Sequence, residues 1–307
     1  MQDVSLAAFW LALAAMGLAV AGYWVPLLGV RLVMRRLATE AGSGPMVASV
    51  QQDDSSHWTG PAGRLGPLAL RLAALCLAAW IAARWRAVGH APWSDMYEFT
   101  IAFASAMAFF YIIFDRFYLS SGRLRSAQAL GAALSPVILA MLLVAALFFP
   151  RDVRPLVPAL QNQHLLAIHV ATMILAYGAF SISFGAAVLY LAQGGSRRRF
   201  ARLPSARQLD DIAYRSVMLG FPLLALGIAL GAYWADHAWG RYWGWDPKET
   251  SALVTWLIYG VYLHMRGLRN WSGKRSAWVL VVGFGAVMFT YFAVNLWVSG
   301  LHSYAGV

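Results

Sequence analysis

The sequence predicts an all-α fold: a polytopic integral membrane helical bundle of about eight transmembrane helices, with both termini outside. Composition, apolar run length and the placement of basic residues predict it. The chain of 307 residues is 60% hydrophobic and only 12% charged, with a mean hydropathy of +0.59. A soluble domain of this length has too little interior to hide that much apolar surface. A span needs roughly 20 apolar residues, and eight runs qualify, near 6–30, 67–86, 97–115, 127–149, 165–192, 213–235, 251–266 and 276–298.

The first run lacks a basic leading segment and is followed by arginines, so it reads as a retained transmembrane helix rather than a cleavable signal. The fifth is long enough to tilt or project from the bilayer. The seventh is short and begins straight after a loop crowded with tryptophan. Net charge is +11, and its distribution orients the spans. Arg31, Arg35, Arg36 and Arg64 follow the first run. Arg116, Arg123 and Arg125 follow the third, Arg197, Arg198, Arg199, Arg202 and Arg207 the fifth, and Arg266, Arg269, Lys274 and Arg275 the seventh. The alternate loops hold fewer: Arg84 and Arg86, Arg151 and Arg154, or Arg241 and Lys248. Every basic-rich loop falls on one side, which the positive-inside rule makes cytoplasmic. The whole of 1–307 then reads as a single membrane domain, with a mobile cytoplasmic loop at 37–66 and an external Trp-rich loop at 237–250.

Several chemistries are excluded. The single cysteine, Cys76, forbids an internal disulfide or a Cys-based metal or redox pair and reads as a small core residue. No dinucleotide fingerprint, P-loop or HExxH pattern is present. The basic loops have little aromatic interleaving, so no nucleic-acid partner is expected; the positive charge belongs with the lipid bilayer.

The informative segment is Trp239-Gly-Arg241-Tyr242-Trp243-Gly-Trp245-Asp246-Pro247-Lys248-Glu249. A plain interfacial belt accounts for scattered tryptophans, but not for tryptophans packed with these charges. Flat aromatic surface beside Arg241 and Lys248 suits a flat apolar ligand with a charged rim, such as haem with its propionates. Pro247 suits the first turn of a helix running into the seventh span. Of the seven histidines, His264 lies about 20 Å below the outer surface, counted at ~1.5 Å per residue. An ionisable residue at that depth marks function by default, against the alternative of a neutral histidine bonded to a neighbouring helix. His169 and His302 fall on the aromatic side, on separate helices, and two such imidazoles can clamp an iron from opposite faces. Taken singly, each is a polar helix end. His90 lies in a turn that Ser94 or Asp95 can cap. His164 and His237 read as interfacial residues and His57 as a loop residue.

With these residues in place the chain resembles the CcsA/ResC family of cytochrome c biogenesis proteins, part of the haem-handling group with a Trp-rich "WWD" motif. The resemblance rests on residues 239–250 and is carried further by Gly-His-Ala-Pro around His90 with Tyr97-Glu98, His-Val-Ala-Thr at 169, and Gly-Leu-His-Ser-Tyr-Ala at 300–305. It covers the whole chain and departs at Asp95, where Asn is commoner.

The resemblance implies haem b (iron protoporphyrin IX), ligated by His169 and His302 at the outer surface and by His264 at an inner site. Trp239, Tyr242, Trp243, Trp245 and Asp246 would shape the outer site, with Arg241, Lys248 and His90. It implies a holocytochrome c synthase, or haem lyase, in the bacterial inner membrane. Its partners would be a CcsB/ResB-like membrane subunit that supplies the missing inner ligand, an apocytochrome c with a Cys-x-x-Cys-His motif, and a thioredoxin-like thiol reductant. The alternatives are a haem carrier or exporter serving a separate ligase, a b-type cytochrome subunit, and a transporter without cofactor. A b-type cytochrome calls for paired histidines at helical spacing inside the spans, which this chain lacks.

Overall fold

The computed structural model describes residues 1–40, 61–120, 124–152, 163–194, 200, 203–268 and 271–301. Among them there is no strand. Eight long helices follow in order: α1 Gln2–Glu40, α2 Pro61–Val88, α3 Met96–Ser120, α4 Leu124–Phe148, α5 Gln163–Ala192, α6 Ala206–Trp239, α7 Pro247–Gly267 and α8 Lys274–Met288. The last continues through a π-helical turn, Phe289–Ala293, into a final helical turn, Val294–Leu296.

Each apolar run falls on one helix. Seven helices among the described residues are long and apolar enough to cross a membrane. The exception is α7, which carries Lys248, Glu249, His264 and Arg266 within its 21 residues. At ~1.5 Å per residue it is still about 30 Å long, the depth of the hydrocarbon layer. The expected loop at 37–66 is helical at both margins, where α1 reaches Glu40 and α2 starts at Pro61. Its middle, 41–60, lies outside the described residues.

Contacts sort the helix ends into two sets. At one end Arg84 of α2 bonds Glu98 of α3 and the Arg151 carbonyl after α4, and the Arg151 guanidinium lies 4.9 Å from the Trp10 ring of α1. Tyr291 of α8 bonds Thr100 of α3, and His169 of α5 bonds Gly227 of α6. At the other end Arg71 of α2 meets Asp115 of α3, and Arg266 of α7 meets Asp210 of α6. The aromatic loop, the 89–95 turn and the chain around 300 therefore share one end. The described helix ends that carry Arg64, Arg116, Arg207 and Arg266 share the other. Of the seven long apolar helices, α3 is the most enclosed and α6 the least; α5 touches α3, α4, α6 and α8.

Two helix-breaking residues show how the bundle closes. Proline has no N–H, so the carbonyl four residues before it loses its helical partner. In hydrocarbon that carbonyl needs another donor. Pro67 releases the carbonyl of Gly63, and Gln128 of α4 donates to it at 3.0 Å. Pro136 releases that of Ala132, and the Trp24 indole of α1 donates to it at 3.0 Å. Small residues permit the close approach. At Gly131 a Cβ would lie 2.3 Å from Cζ of Tyr23, whose hydroxyl bonds that of Tyr111 at 2.5 Å.

The Gln128 bond generates a test. Gln128→Leu should destabilise the bundle by roughly 1–3 kcal/mol, the cost of an orphaned buried carbonyl. Adding Pro67→Ala, which restores the helical donor, should recover much of that loss. Thermal unfolding in detergent checks both; equal losses in the single and double variants would mean that the bond does not matter.

Candidate active site

The aromatic loop is folded by its own charged residues. Gly240, at φ 70, ends α6 in the left-handed region that favours glycine and donates its N–H to the Asp236 carbonyl. Trp245 is the one described non-glycine residue with positive φ, at 56. Asp246 then caps α7: its Oδ1 accepts from the Lys248 N–H at 2.9 Å. The Glu249 Oε2 reaches back to the N–H groups of Gly244 at 2.9 Å and Asp246 at 3.1 Å. With Pro247 at the first helical position, this is a complete capping box.

Beneath the loop lies a cavity of about 760 Å³, counting the open space at its mouth. It joins α3, α5, α6, α7 and α8. His169, Trp243 and Lys248 line it, with Phe99, Met173, Tyr177, Tyr291 and Asn295. His169 is set from two sides. Its Nδ1 lies 2.8 Å from the Gly227 carbonyl, and a carbonyl only accepts, so Nδ1 carries the proton. In the neutral ring Nε2 then holds the lone pair, the arrangement in which a histidine ligates a metal. Gly231 makes room for the ring, because a Cβ there would lie 2.6 Å from Cε1 of His169. The π-helical turn of α8 brings Thr290 and Tyr291 to the wall, and Tyr291 stacks on Phe99 with centroids 5.4 Å apart. Asn295 spends its Nδ2 on the Tyr291 carbonyl at 2.6 Å, and its buried Oδ1 has no hydrogen-bond partner.

The other candidates are placed differently. Trp239 packs edge-on against Trp234 at 4.8 Å. Tyr242 and Trp245 are exposed, and Trp245 meets Trp243 edge-on at 5.7 Å. The Arg241 guanidinium folds over Gly244. Asp246 is buried and turned to backbone groups rather than to the cavity. His90 is buried in its turn and donates from Nδ1 to the Ala91 carbonyl at 3.0 Å. Beside it Asp95 caps α3; burial, with Glu98 adjacent, pushes its carboxyl up to about 6. His264 is exposed on α7, far along the helix from the loop. His302 lies outside the described residues. Sequence reasoning missed Phe99, Tyr291 and Asn295; a lone Asn inside an apolar span was the available signal.

A porphyrin fits this donor set. The cavity offers aromatic faces, an imidazole with its lone pair on Nε2, and the Lys248 cation for a carboxylate rim. Burial pushes the Lys248 ammonium down to about 8, against the opposing pull of the Asp246 carboxylate. A lowered lysine pKa means that the fold is penalised below about 8 and relieved as pH rises toward 10.5. The chain has two lysines, so amine acylation followed by peptide mapping can read Lys248 directly. Its labelling should show a midpoint near 8; a midpoint at the ordinary lysine value would mean a fully solvated amine.

Comparison with known proteins bears on the family. A family model described as cytochrome C assembly protein matches residues 93–302, from the turn before α3 to the segment after α8. The chain is 35% identical over 305 residues to the cytochrome c biogenesis protein CcsA of Synechococcus elongatus, covering 81% of this chain and 91% of that one. It is 39% identical over 237 residues to CcsA of Chlamydomonas reinhardtii, with 75% and 65% covered. It is 34% identical over 293 residues to CcsA of Microcystis aeruginosa, with 78% and 87% covered. On this match, which takes in the cavity and the aromatic loop together, the chain belongs to the CcsA family of cytochrome c biogenesis proteins.

Proposed function

We propose that this chain passes haem b across the membrane and positions it for thioether attachment to the Cys-x-x-Cys-His motif of apocytochrome c. It would act as a holocytochrome c synthase together with a CcsB/ResB-like subunit. The observation that carries this reading is His169, oriented by the Gly227 carbonyl in a cavity shared with Trp243 and Lys248. Haem is the substrate here. His169 and His302 hold its iron, the rings of Phe99, Trp243 and Tyr291 lie against the porphyrin, and Lys248 pairs with a propionate. Since the cavity has an open mouth, a ring held in it keeps an edge outside for the incoming peptide.

Each attachment adds one substrate thiol across one haem vinyl group. A carbon–sulfur bond forms, the thiol hydrogen goes to the neighbouring vinyl carbon, and nothing leaves. The catalyst needs no cysteine of its own, and a thioredoxin-like reductant keeps the substrate thiols available. The chain's share is positioning.

The exposure of His264 supports an inner site completed from outside the chain. On α7 it continues a stripe with Val254, Leu257 and Val261, all exposed. Lipid offers an imidazole no partner at that depth, whereas a ligand from the partner subunit does. The alternation of basic-rich segments along the sequence supports an orientation with the aromatic end facing away from the cytoplasm, which in a bacterial inner membrane is the periplasm.

His169→Ala and His302→Ala should each abolish covalent haem attachment in cells supplied with the partner and an apocytochrome, while the protein stays in the membrane. Added imidazole should restore part of the yield, and His264→Ala should lower haem delivery. Normal holocytochrome yield in either outer-histidine variant contradicts the reading. Haem delivery without covalent product, until a further ligase is added, would favour the carrier.

A further inference from the structure

Several polar groups in the cavity wall are engaged with the protein itself. Thr290 donates its hydroxyl to the Ala286 carbonyl at 2.8 Å. The Tyr291 hydroxyl pairs with Thr100, and the Glu249 carboxylate serves the Gly244 and Asp246 amides. Asn295 differs. It lines the cavity from the final helical turn and is only 6% exposed. Its Nδ2 donates to the Tyr291 carbonyl at 2.6 Å. A carbonyl only accepts, so the nitrogen must face it and the amide cannot be turned over. Oδ1 is then left as a buried acceptor, and it has no hydrogen-bond partner among the described residues. A buried acceptor in that condition costs the fold about as much as a broken hydrogen bond, whereas leucine, of similar size, would carry no such cost.

We infer that Asn295 is a further ligand-binding residue, whose Oδ1 accepts from an O–H group that haem brings into the cavity. The inference rests on haem being the ligand of this cavity. Charge narrows the choice of donor. Among the described residues Lys248 and Glu249 are the only charged side chains in the wall, so a single cation faces a porphyrin with two carboxyl groups. Lys248 holds one of them ionised. A second carboxylate beside Oδ1 would set lone pairs against each other, whereas a neutral carboxylic acid donates its O–H. Water bound to the iron is the other source of an O–H. In either case Asn295 recognises a donor. The Lys248 ammonium, which only donates, cannot do so.

The test titrates haem into the full chain purified with its partner subunit, in a His264→Ala background that leaves the outer cavity to be read, and follows binding by absorbance. Asn295→Leu should weaken haem binding roughly tenfold, as one lost buried hydrogen bond implies. Two further probes locate the donor. Haem dimethyl ester lacks the acid O–H groups, and metal-free protoporphyrin IX lacks iron-bound water. Asn295→Leu should weaken haem roughly tenfold but leave unchanged the binding of whichever probe lacks the donor. A penalty that vanishes with the ester assigns the propionic acid; one that vanishes with the metal-free ring assigns the iron-bound water. A purely structural role for Asn295 would weaken haem and both probes by the same factor, and that result overturns the proposal. So does an unchanged haem affinity in Asn295→Leu while His169→Ala lowers it. Haem binding indifferent to His169→Ala overturns the reading of the cavity as a haem site, and the proposal with it.

Discussion

Hydrocarbon offers no water to an open backbone carbonyl, and much of this molecule is arranged around that constraint. At two of the prolines that open the helical ladder, a side chain from a neighbouring helix fills it: Gln128 at Gly63 and Trp24 at Ala132. Near the end of α4, Arg151 donates to the Ala146 carbonyl at 2.8 Å. At the cavity His169 donates to the Gly227 carbonyl, and that bond fixes which ring nitrogen carries the proton. Metal-ready chemistry thus follows from packing α5 against α6 rather than from a separate ligand scaffold.

The aromatic-loop end answers a second demand, which is to hold polar groups where a bilayer ends. Arg84 and Glu98 form a buried pair at 2.7 Å, and Glu98 also accepts from Ser94 at 2.8 Å. A buried pair is weak evidence for stability, since desolvation offsets its attraction. Its value here is to register α2 against α3, which carries Phe99 to the cavity. The least apolar helix, α7, is anchored at both ends by ionic groups: Asp246 and Glu249 above, and Arg266 with Asp210 below. Lys248 and His264 can therefore occupy a helix whose apolarity alone would not hold it in place.

Much of the fold was legible in the sequence, because run length and charge alternation are properties of segments. Eight runs became eight helices, and the described ends at Arg71 and Arg266 lie opposite the aromatic loop. Pro247 stands at the first position of its helix, as its missing N–H dictates. The site was legible by address rather than by role. Trp243, Lys248 and His169 do share a cavity. Trp239, Tyr242 and Arg241 are close in sequence but turned elsewhere: Trp239 packs on Trp234 within α6, Arg241 folds over Gly244, and the loop between turns at left-handed Gly240 and Trp245. Phe99, Tyr291 and Asn295 reach the wall through helix packing and a π turn, which no local pattern announces. Asp246 read as a charge beside a ligand; in the fold its oxygens belong to two backbone amides.

Haem handling at the aromatic-loop end turns on the imidazole of His169 serving as an iron ligand. The reduced-minus-oxidised visible spectrum of the chain purified with its partner subunit, beside that of His169→Ala, tests this most directly. A low-spin haem signal in the native protein, altered or lost in His169→Ala, is the predicted result. A haem-free preparation, or a spectrum indifferent to the substitution, would contradict it and leave the cavity to a different ligand.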